Sequence, residues 1–150
     1  MKKNLSMLLL SFLALAACKS KSEKAGKLEG TWQLLSAKTI TGKDTVTSFP
    51  VAGQEMIKVI NATHFSFFRH DKLKGKGTAA IFDAGGGTYT LKGSDYSEKL
   101  DYCTARDWEG HQFDFKIRLT SDSLIQTGTE KIDSLGIDRQ IVEVYKRLGT

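Results

Sequence analysis

GGGTYTLKGSDYSEKLDY, Gly85 to Tyr102, reads as turn, strand, turn, strand. Three consecutive glycines are placed as a chain reversal. Thr88 to Lys92 is a short β-favouring run, and Gly93-Ser94-Asp95 is a second turn leading into Tyr96–Tyr102. Successive strand residues point to opposite sides, so Tyr96, Glu98, Leu100 and Tyr102 share one face, against Asp95, Ser97, Lys99 and Asp101. That places an acid, Glu98, on a mostly apolar face, as a structural partner to an arginine or tyrosine or as a ligand contact.

Working outward, the same pattern recurs. Trp32, Leu34, Ser36 and Lys38 alternate with Gln33, Leu35, Ala37 and Thr39, and either side can be the buried one. Met56, Lys58 and Ile60 oppose Glu55, Ile57 and Val59. Phe65 and Phe67 oppose His64, Ser66, Phe68 and His70. The cleanest run has Phe113, Phe115, Ile117 and Leu119 on one side and Asp114, Lys116, Arg118 and Thr120 on the other. Ile141, Glu143, Tyr145 and Arg147 oppose Val142 and Val144 near the end. No stretch holds a helical period. About nine strands joined mostly by short turns predict an all-β protein, an antiparallel up-and-down meander closed into a barrel of about 8 to 10 strands.

The 150 residues amount to one domain preceded by a targeting segment. Lys2 and Lys3 form a positive start, Leu5 to Ala14 is apolar but too short to span a bilayer comfortably, and Leu15-Ala16-Ala17-Cys18 follows. This resembles the lipobox of bacterial lipoproteins, which implies cleavage before Cys18 and lipidation of that cysteine. The expected organisation is a signal peptide over 1–17, a lipidated cysteine and flexible tether over 18–27, and a barrel over 28–150. The tether KSKSEKAGK is basic, where surface-exported lipoproteins often carry an acidic run, so the expected location is the outer membrane, facing the periplasm. Cys103 is then the only cysteine of the domain, which excludes an internal disulfide.

Lys+Arg number 22 against 17 Asp+Glu, and 20 against 17 once Lys2 and Lys3 are set aside, a balance of +3. The lysine clusters at Lys19–Lys27 and Lys72–Lys76 contain no aromatic residue, which argues against nucleic acid. His64 and His70 stand roughly 20 Å apart along an extended strand, too far to share a metal ion. There is no phosphate loop, haem-attachment motif or legible Ser-His-Asp set.

Gly30-Thr31-Trp32 opening the first strand, the Gly-Gly-x-Tyr-x-Leu-x-Gly-x-x-Tyr-x-Glu run from Gly86 to Glu98, and the ending Glu143-Val-Tyr-Lys-Arg147-Leu148 resemble lipocalin-like domains of the calycin superfamily. The closest resemblance is to uncharacterised bacterial lipoproteins with such a domain, over Leu28 to Leu148. The resemblance implies a lipocalin-like barrel closed by Gly30, Trp32 and an arginine packed across the indole, Arg147 or alternatively Arg139. Secreted lipocalins differ in carrying a disulfide and in being longer. The expected function is binding of a small hydrophobic or amphipathic ligand, without catalysis, cofactor or metal. Phe65, Phe67, Phe113, Phe115, Ile117 and Leu119 are expected to form walls, with Glu98, Tyr96 and Tyr102 orienting the ligand. The alternative is a structural or protein-interaction module of the envelope with a filled barrel.

Overall fold

The computed structural model describes residues 27–78 and 80–149. The expected signal peptide and the expected lipidation site at Cys18 lie outside the described residues. Nine antiparallel strands follow one another: β1 Gly30–Thr41, β2 Asp44–Phe49, β3 Gln54–Ile60, β4 His64–Asp71, β5 Phe82–Lys92, β6 Asp95–Cys103, β7 Gln112–Leu119, β8 Ser123–Ile132 and β9 Ile137–Leu148. One edge of β1 pairs with β9 from Thr31 to Ile40. Its other edge is shared, with β3 along Gly30–Gln33 and β2 along Ala37–Thr41. Eight strands, β1 and β3 to β9, therefore close into a barrel, and β2 is an additional flap on β1. Closure leaves the eight barrel strands with paired edges.

Arg147 seals one end. Its guanidinium carbon lies 4.0 Å from the Trp32 ring centroid, while Nε donates to the Ser121 carbonyl at 2.9 Å and one terminal nitrogen to the Glu29 carbonyl at 2.8 Å. The other terminal nitrogen donates to the Lys27 carbonyl. Trp32 is fully buried, and its Nε1 donates to the Leu28 carbonyl at 2.8 Å. Gly30 is required by this packing. A Cβ there would stand 2.4 Å from the Arg147 guanidinium, and φ is +142°, where a side chain is strained. Arg139 takes no part in this closure; it belongs to the other end of the barrel.

The glycine run departs from its sequence reading. Gly85, Gly86 and Gly87 do not reverse the chain but lie within β5. Their role is close approach: a Cβ at Gly85 would meet the Phe67 ring at 2.6 Å, and one at Gly86 the Phe65 carbonyl oxygen at 2.6 Å. At Gly87 a Cβ would stand 1.9 Å from the Lys99 carbonyl oxygen. There the register slips, Gly86 facing Tyr102 and Gly87 facing Leu100, so Asp101 is the extra residue of a β-bulge. The bulge reverses the parity of everything after Leu100. Tyr102, expected inside, is 72% exposed, and Cys103, expected to share the side of Lys99 and Asp101, turns inward. A second bulge at Leu35 on β1 works the same way: Trp32 and Leu34 are buried, then Ala37, while Leu35 is exposed.

Candidate ligand cavity

The inward faces of β3 to β9 enclose a cavity of about 330 Å³, at the small end of the roughly 300–1,000 Å³ common for ligand sites. It lies away from the Trp32–Arg147 seal. Its lining reaches solvent where β5 begins, at Asp83, where β6 ends, at Cys103 and the exposed Ala105, and where β9 begins, at Arg139. Trp108, from the short 3₁₀ turn Arg106–Trp108 between β6 and β7, overhangs this mouth. Arg139 lies 5.4 Å from the Trp108 ring centroid and holds Glu130 through two nitrogens at 2.7 Å. Phe65, Phe67, Phe113, Phe115, Leu100 and Ile141 form the apolar wall.

The polar groups concentrate deeper. Lys58 is 3% exposed although lysine is among the residues least often buried. Its ammonium pairs with Glu98, itself 7% exposed, and donates to Gln126 Oε1 at 2.9 Å. It also lies 5.2, 5.5 and 5.9 Å from the ring centroids of Phe65, Tyr96 and Tyr145, within cation–π range. An ammonium has three protons, and this one is surrounded by a carboxylate, an amide oxygen and three rings. The ion-pair partner of Glu98 is thus a lysine, where the sequence suggested an arginine, and the Tyr96 hydroxyl stands beside the same carboxylate.

Glu143 completes the array. The Tyr145 hydroxyl donates to its Oε2 at 2.7 Å. Burial raises the Glu143 carboxyl above the usual range; Lys58 and the Tyr145 hydrogen bond pull it back, while Glu98 and Glu130 push it further up. Burial, and then Glu143, hold the Tyr145 hydroxyl well above the normal phenol value. The Tyr96 hydroxyl is raised too, chiefly by burial and next by the neighbouring Glu98 carboxylate. Cys103 is raised by burial, so at neutral pH its thiol is protonated and a weak nucleophile.

Of the residues singled out from the sequence, Glu98, Phe65, Phe67, Phe113 and Phe115 line the cavity. Tyr96 and Ile117 are buried in the barrel but off the lining, Leu119 packs against the core, and Tyr102 is on the outer wall. The Tyr89 hydroxyl donates to the Asn61 carbonyl at 2.7 Å. Lys58, Gln126, Glu143, Tyr145, Trp108 and Arg139 were not singled out as site residues. Lys58 and Glu143 carried the same signal as Glu98, a charged residue alternating with apolar ones on a single face. His64 contacts the Thr63 hydroxyl and His70 the Glu55 carboxylate. No group of three or more His, Cys, Asp or Glu among the described residues could hold a metal ion.

Fold and cavity define a closed eight-stranded antiparallel β-barrel with a small, mixed polar and apolar interior. No family model matches the chain, and no curated protein does. A crystal structure of an uncharacterized protein from Bacteroides eggerthii DSM 20697 is similar at 12% identity, with 81% of this chain and 100% of that chain covered and a TM-score of 0.48.

Proposed function

We propose that this chain is a lipid-anchored envelope protein whose lipocalin-like barrel binds a small amphipathic ligand. The observation that carries the reading is the cavity: about 330 Å³, walled by four phenylalanines and backed by the Lys58–Glu98–Gln126 array. A barrel whose only duty was structural would gain by filling that space with side chains. Anchoring rests on the lipobox-like Leu15-Ala16-Ala17-Cys18, and the periplasm-facing outer-membrane location on the basic tether. No catalytic role is part of this reading.

The test is titration with N-phenyl-1-naphthylamine, which fluoresces in apolar surroundings. Saturable binding that is abolished by filling the cavity with Cys103→Phe is expected; absence of saturable binding to the folded native chain refutes the reading. For the anchor, labelling with a radioactive fatty acid is expected in cells expressing the native chain and lost in Cys18→Ala.

One observation favours a second reading. Phe68 and Tyr102 flank the Ala84–Gly87 backbone on the outer wall, with Phe82, 67% exposed, at the start of β5. Such an apolar surface suits a protein contact. Site-specific photocrosslinking from position 102 in whole cells would produce a discrete adduct on this reading.

A further inference from the structure

The cavity carries the opposite charge to the chain. Net charge is +5 overall, yet the lining has four acids, Asp83, Glu98, Glu130 and Glu143, and two bases, Lys58 and Arg139. Each base is already matched: Lys58 to Glu98, Arg139 to Glu130. That leaves Asp83 at the mouth and Glu143 in the interior with no ion-pair partner among the described residues. Glu98 is itself held by the Lys58 ammonium, so that cation is not free for a ligand. Four phenylalanines, Phe65, Phe67, Phe113 and Phe115, line the cavity, and aromatic rings accept a cation on their faces.

An anionic ligand has nowhere comparable to go. To reach Lys58 it would have to displace Glu98 and leave a buried carboxylate stripped of its cation, which is strongly unfavourable. Arg139 would likewise have to leave Glu130. A cation displaces nothing and neutralises an acid that burial disfavours.

We propose that the ligand is a cationic amphiphile: an amine on a compact apolar body, its nitrogen against Glu143 and its body along the phenylalanine wall, entering past Asp83. This rests on the binding reading above and specifies its ligand class. It is tested with three probes that share one body: 4-phenylbutylamine, 4-phenylbutanol and 4-phenylbutanoate. Each is titrated calorimetrically at pH 7.5 into the full chain in nanodiscs, with empty nanodiscs as the blank. The amine is expected to bind at least about tenfold more tightly than the acid, a gap of about 1.4 kcal/mol, with the alcohol between. Glu143→Gln is expected to shrink the amine-to-acid ratio to within about threefold, with a melting curve showing that the variant is folded. Should that variant not fold, Asp83→Asn takes the same test, with a loss of about threefold in the ratio expected at the more solvated site. Binding in which the acid equals or exceeds the amine overturns the cation assignment while leaving ligand binding intact. A folded variant that keeps the full ratio overturns the role of its acid and with it the assignment. If none of the three probes binds, the binding reading itself falls.

Discussion

Replacing Lys58 by methionine keeps an unbranched stem as far as Cε and removes the ammonium. In the native barrel the side chains of Lys58 and Glu98 are 4% and 10% exposed, so water screens their pairing little. Taking away one partner of a buried pair leaves the other charge uncompensated, at about 3–5 kcal/mol. Gln126 loses its donor as well, within the same range. For a domain of this size about 1 kcal/mol shifts Tm by roughly 3–6 °C, so Lys58→Met is expected to lower Tm by about 10–20 °C. Lys58→Met/Glu98→Met should recover most of the loss, since a buried pair exchanged for apolar side chains of similar volume is often neutral. Urea titration and thermal melts followed by circular dichroism, at pH 7.5, measure all of this. A loss under about 1 kcal/mol in Lys58→Met, or a double variant less stable than the single one, would refute an uncompensated Glu98 as the cause.

Gly87→Ala drives a Cβ into the Lys99 carbonyl and cannot keep the Asp101 bulge; a loss of about 3 kcal/mol or more is expected in urea titration. Iodoacetamide labelling of Cys103, slow in the native chain because the thiol is half-buried and its pKa raised, should accelerate in the same variant. Gly30→Ala meets both the Arg147 guanidinium and an unfavourable φ, so its melting temperature should fall by several degrees; Arg147→Lys, which loses the flat fork over Trp32, should fall too. Glu143 has a folded-state pKa above its unfolded value, so the native state holds the proton longer. Its contribution is therefore most favourable at low pH and declines as pH rises through the interval between the two values. Glu143→Gln should flatten that decline, seen as a smaller drop in urea stability between pH 4.5 and pH 7.5.

Where a strand is regular and half-buried, the sequence determines its orientation unaided: in β7, Phe113, Phe115 and Ile117 are buried and Asp114, Lys116 and Arg118 exposed, as the alternation requires. β6 is equally legible up to Leu100 and misleading beyond it, because a single bulged residue inverts the side-chain parity. The cause of that bulge sits on another strand, at Gly87, and is a matter of backbone clearance. The glycine triplet was misread for the same reason. Locally it is a turn signal, but here it answers the Phe67 ring and the neighbouring backbone, which only the closed barrel brings close. Glu98 was visible as an acid on an apolar face, but its cation lies 40 positions earlier, on a strand that does not neighbour β6. Pairing across the lumen depends on curvature, which alternation along one strand does not encode.

The binding claim is tested most directly by native mass spectrometry of the chain purified from its own cells and released gently from detergent. The account predicts a population carrying one additional small molecule, removed by organic extraction and absent from Cys103→Phe. A single mass equal to the bare processed chain, from protein that also fails to take up any of the phenylbutyl probes, would contradict it.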